Sequence, residues 1–143
     1  MAELELIQLD PSKAHWLPYA PAIKVPANSE YFFLSGATAI PLYHMHPHID
    51  EECVLPDDIQ EQTRRVMRTI LEVLEFNGLT WKNVIHVYEF LTDMRDADLI
   101  HATMGEFLTG TNWYPADTMI GVNTLSAPGA RFELDVIAAR AID

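Results

Sequence analysis

The chain has 143 residues, 49% of them hydrophobic, and a single cysteine, Cys53, so it can bury one domain-sized core but cannot form an intramolecular disulfide. Nine basic side chains against 21 acidic ones give a formal net charge of −12, which repels phosphate backbones and anionic headgroups and argues against nucleic acid or a membrane surface as partner. No run approaches the roughly 20 apolar residues that cross a bilayer, and Met1-Ala2-Glu3-Leu4-Glu5 has neither the basic nor the apolar character of a leader, so a cytoplasmic location is expected.

No internal repeat or flexible linker divides the sequence, which predicts a single domain over 1–143. A short strand is expected at 4–9. Pro11, Pro18, Pro21 and Pro26 then predict an extended, irregular first quarter without helix. The aromatic run 30–34, ending at Ser35-Gly36, predicts a core strand and turn. Residues 41–56 show neither helical nor strand periodicity and predict a loop. With Asp57 as N-cap, Ile59, Val66, Ile70, Val73 and Leu74 at helical spacing and Gly78 as terminator, a helix is predicted over 58–77.

Residues 84–91 are β-branched and aromatic enough for a buried strand. Asp96 is the expected cap of a second helix, ending before Gly110, in which Leu99, Ile100, Phe107 and Leu108 face inward. Residues 118–125, the Pro128-Gly129 turn and the alternating run 131–138 predict a terminal hairpin. In that run charged residues share one face and apolar ones the other. The elements add up to an α+β domain, one mixed sheet of about six strands with two helices packed on one face. The uncovered face invites oligomerisation.

In order along the chain, Pro18-Tyr19, Tyr31-Phe32-Phe33-Leu34-Ser35-Gly36, Gln62-Thr63-Arg64, Phe90-Leu91-Thr92-Asp93-Met94, Pro115-Ala116 and Phe132-Glu133-Leu134-Asp135-Val136-Ile137-Ala138 resemble the successive signatures of the RidA/YjgF (endoribonuclease L-PSP-like) family. The resemblance implies a chorismate-mutase-like fold, a homotrimer, and clefts between subunits in which deaminating members hydrolyse enamines and imines without a cofactor. It also implies two departures. Where the deaminases place an arginine after Pro-Ala to grip a substrate carboxylate, this chain has Asp117, and where many relatives have a helical asparagine it has His101, which can titrate near neutrality.

The resemblance implies that Glu133 activates water; His101, as a titratable histidine in place of the amide, is the second catalytic candidate, as an acid or base. Tyr19, Ser35, Gly36, Asp117 and Met119 are assigned to substrate binding. Arg131, two residues before Glu133 on the same strand face, could supply the guanidinium missing at 117, or pair with Asp135 or a neighbour. A carboxylate at 117 suits a cationic or neutral polar head better than an anion. His44-Met45-His46-Pro47-His48 has the ligand types for a divalent metal, but its spacing matches no known zinc site, so an exposed loop is expected and no metal or cofactor is assigned. Cys53, among acids that raise a thiol's pKa, is not expected to be a nucleophile. The leading expectation is a small-molecule deaminase or related hydrolase with a non-standard substrate. The alternative is a non-catalytic, ligand-binding or regulatory trimer; RNA cleavage runs against the charge.

Overall fold

The computed structural model describes residues 2–142; Met1, which opens the stretch read against a leader, lies outside them. The first strand, β1 (Glu5–Ile7), pairs antiparallel with β2 (Ala22–Lys24) in a separate two-stranded ribbon. Between them the expectation of no helix fails: Pro11–Trp16 form a 3-10 helix in which Asp10 caps the Ser12 amide. Pro11 sits in the first turn, where no amide partner is needed and its fixed φ suits the turn, so proline starts this helix.

The other four strands are β3 (Ser29–Phe33), β4 (Val84–Leu91), β5 (Ala116–Gly121) and β6 (Phe132–Ala141), in the order β3-β6-β4-β5. The described residues therefore form six strands, about the number expected, but divided between a four-stranded sheet and a two-stranded ribbon instead of one sheet. β5 runs parallel to β4 and does not touch β6, so the predicted terminal hairpin is not formed. The turn at 127–130 exists, with Ala130 N–H bonded to the Ala127 carbonyl, but it belongs to the crossing from β5 to β6. Burial explains the difference. Phe132, Leu134, Val136 and Ala138 are all at most 1% exposed, and a strand this deep is most stable in the middle of the sheet, paired on both edges.

Two helices cover one face. Helix α1 (Ile59–Phe76) is capped by Asp58, one residue later than predicted, whose carboxylate accepts from the Gln60 amide, and it ends before Gly78, where φ of +72° suits glycine. Its inner stripe is Ile59, Gln62, Thr63, Val66, Met67, Ile70 and Leu74. Gln62 is the unexpected member: its buried amide donates to the Pro56 and Gly129 carbonyls and accepts from Arg131 N–H, pinning the start of β6 to the helix. Helix α2 (Ala97–Leu108) presents Ile100, Met104 and Leu108, at i, i+4 and i+8, to the core. Leu99 lies one position off that stripe and is 48% exposed, contrary to expectation, while Phe107 packs at the core's margin. No helix among the described residues is long and apolar enough to cross a membrane.

Candidate functional site

Strand alternation sorts the candidate residues onto two faces. The register pairs Glu89 with Leu134 and Phe90 with Glu133. Leu134 faces the helices, so Glu89 does too, and Glu133 and Asp135 point to the open face. Glu133 and His101, read together as catalytic from the sequence, are thus on opposite sides of the sheet of one protomer.

On the open face Gly36 passes directly under the Glu133 and Asp135 carboxyls. A Cβ there would fall inside contact distance of Glu133 Oε2 and Asp135 Oδ1, so glycine is required for the close approach. Burial, and then the charge and hydrogen bond of Asp135, push the Glu133 pKa upward. Asp135 Oδ1 is buried without a conventional partner. A proton held between the two carboxyls accounts for both facts. Two like acids at i and i+2 on one strand face leave one able to donate and the other to accept.

Beneath α2 lies a second group that the sequence reading saw only in part. Glu89 is 0% exposed on β4, and His101 Nε2 is 2.9 Å from its Oε2 and 3.8 Å from Asp117 Oδ2. The hydrogen bond to Glu89 raises the His101 pKa. Burial, followed by the hydrogen bond and charge of Glu89, pushes Asp117 up to about 9. Glu89 Oε1 and Asp117 Oδ1 are otherwise unpartnered, and a protonated Asp117 donating toward Glu89 satisfies both. Burial and the neighbouring Glu89 carboxylate thus favour the neutral acid at position 117. A single acid inside the apolar alternation Val87, Glu89, Leu91 was the signal available for Glu89.

The remaining candidates separate. Ser35 and Gly36 line a cavity of about 930 Å³ between the sheet edge at β3, helix α1 and the loop that carries His44, His46 and His48. Met119 packs against the core, opposite Glu89. Tyr19 is 38% exposed, and the neighbouring Ala20 N–H bonds the Pro115 carbonyl, which ties this segment to the entry of β5. Arg131 is 3.6 Å from Asp96. Its carbonyl accepts from Thr92 N–H, whereas Asp117 pairs with Val87, so the two lie about 16 Å apart along the strand direction. Within a protomer Arg131 does not replace the missing guanidinium. Among the described residues two groups have ligand atoms close enough for a metal ion, His44/His46/His48 and Glu89/His101/Asp117.

Comparison with known proteins adds the lineage. The family described as Endoribonuclease L-PSP matches residues 12–140. Protein DfrA of Myxococcus xanthus is 34% identical over 121 residues, 85% of this chain and 84% of DfrA. Among solved structures, YyfA of Yersinia pestis, a protein of the Rid family, superposes with a TM-score of 0.65 at 26% identity, covering 86% of this chain and 88% of YyfA. TdcF of E. coli, solved with bound serine, gives a TM-score of 0.66 at 23% identity, covering 87% and 89%.

Proposed function

The chain belongs to the endoribonuclease L-PSP family, the RidA/YjgF group, and from that premise we propose that it is a small-molecule enzyme, an enamine or imine deaminase or a related hydrolase. The observation that carries this reading is the Glu133–Asp135 carboxyl pair held over Gly36. As water adds to the carbon of a C=N bond, one carboxylate takes its proton. The other carboxyl delivers a proton to nitrogen and the carbinolamine forms; the carboxylate this leaves then takes the carbinolamine hydroxyl proton while its partner passes the proton won from water to the amine nitrogen, so the C–N bond breaks and a carbonyl compound and ammonia leave. The pair ends with the same single proton it began with.

The reading places the reaction in a cleft between subunits of a homotrimer. Its support is the division of the candidates: Ser35, Gly36 and Glu133 lie on the open face of the sheet, His101 and Asp117 at the β4–β5 end under α2. One copy does not bring both sets to a ligand, so on this reading a neighbouring copy supplies the second set. The open face also exposes Tyr31, Phe33, Tyr88 and Ile120, an apolar patch of the kind that marks an interface. With a neutral acid at 117, a substrate carboxylate meets one hydrogen-bond donor in place of a bidentate guanidinium. Neutral or cationic polar imines fit better than short amino-acid enamines. A small ligand is in keeping with the serine bound to TdcF.

The test is ammonia release from a panel of imines and enamines, aminoacrylate-type and aminomuconate-type included, by wild type and Glu133→Ala. Release that depends on Glu133 supports the deaminase. Saturable binding with no turnover of any member moves the function to the alternative, a ligand-binding trimer, which the replacement of the arginine by Asp117 favours.

A further inference from the structure

We propose that His44, His46 and His48 bind one divalent transition-metal ion at the rim of the 930 Å³ cavity, with a fourth coordination position left open. This site is independent of the Glu133–Asp135 chemistry and of the deaminase reading.

The loop bends at His46 and Pro47, and the three imidazoles converge. Their ring centroids are 4.5, 4.8 and 5.2 Å apart, and one ligand nitrogen from each lies within 4.8 Å of the others. Tetrahedral coordination at about 2.05 Å puts ligand nitrogens about 3.3 Å apart, so each pair closes by at most about 1.5 Å. An exposed loop absorbs that shift at little cost.

The surroundings favour binding. His44 Nδ1 lies 2.7 Å from the Pro41 carbonyl; a carbonyl can only accept, so Nδ1 carries the proton and Nε2 keeps the lone pair for an ion. The Glu52 carboxylate accepts from Met45 N–H at 3.0 Å and fixes the backbone between the first two histidines. His46 and His48 make no hydrogen bond among the described residues, which leaves their nitrogens free. Three imidazoles without a thiolate select the zinc, copper and nickel end of the first-row series, and three protein ligands with a fourth position open are the pattern of sites that bind water or a ligand at the metal. The net charge of −12 draws cations to the surface. In the Glu89/His101/Asp117 group, by contrast, a shared proton already satisfies the buried oxygens.

The experiment uses tag-free full-length protein, stripped with chelator and titrated with Co²⁺, followed by its visible absorption, and with Zn²⁺ by calorimetry and competition. One ion per chain is expected, with a tetrahedral or five-coordinate Co²⁺ spectrum. Loss of a metal's outer partners lowers affinity about 10- to 100-fold, so each His→Ala change is expected to cost at least that. The triple variant should retain no ion, while Asp117→Asn binds as wild type. Circular dichroism without metal checks the fold of the variants. A rise in melting temperature with Zn²⁺ in wild type, absent from the triple variant, provides a second readout. Absence of binding to wild type, or binding that survives the triple substitution, overturns the proposal.

Discussion

Replacing Asp117 by asparagine tests the buried cluster beneath α2 directly. The Asp117 side chain is 8% exposed and its pKa rises from 3.8 to about 9. An acid whose folded pKa is raised contributes stability that is complete below its unfolded pKa and is lost as pH rises through the folded value. The loss therefore runs from about pH 4 to about pH 9. At 1.36 kcal/mol per pH step it reaches about 4 kcal/mol at pH 7, or about 2 after allowing for water that reaches the side chain. The amide is neutral at every pH and still offers an N–H to Glu89 Oε1. Asp117→Asn should thus be more stable than wild type by about 2–4 kcal/mol at pH 7, with the difference vanishing near pH 4. In urea that is a midpoint shift of about 1–2 M at constant slope, measured at one protomer concentration because association adds to stability. His101, raised by its bond to Glu89, loses its contribution above its ordinary 6.5 in both proteins. Midpoints that run parallel from pH 4 to 8, or a variant weaker at pH 7, would refute the shared proton.

Gly36→Ala should cut ammonia release about 100-fold, because a methyl pushes the two carboxyls aside by an ångström or more; thermal melting near that of wild type separates this from unfolding, and unchanged turnover would remove the carboxyl pair from the mechanism. Asp58→Ala should destabilise by about 1 kcal/mol through loss of the cap on Gln60 N–H, whereas Asp57→Ala should change little. Denaturation of both variants distinguishes them, and equal losses would deny the cap its role.

What the sequence disclosed was local. Residues 84–91 read as a strand and formed one with those bounds, because β-branched and aromatic side chains on a buried strand need no distant information. The periodicity of α1 gave the helix to within a residue at each end. The Pro128-Gly129 signal correctly marked a turn but not which strands flank it, since pairing follows from the deep burial of β6 between β3 and β4, residues far away in sequence. The site was legible as residue types and not as an arrangement. His101 and Asp117 stood out by departing from the family motif, yet Glu89, which binds them into one cluster, looked like an ordinary break in an alternating strand. The His44 loop named its ligands, and only the folded backbone brought their rings together.

The position of β6 has a consequence for synthesis. It comes last among the described strands along the chain, yet it supplies the whole of β3's ladder and one edge of β4. Until residues 132–141 leave the ribosome, β3 has no strand beside it, α1 lacks Phe132 and Leu134 to pack on, and the Gln62 amide waits without Arg131. A nascent chain can complete neither its sheet nor its core. Deleting residues 132–141 would therefore take out a strand paired on both sides, leaving the edges of β3 and β4 open to pairing with other chains.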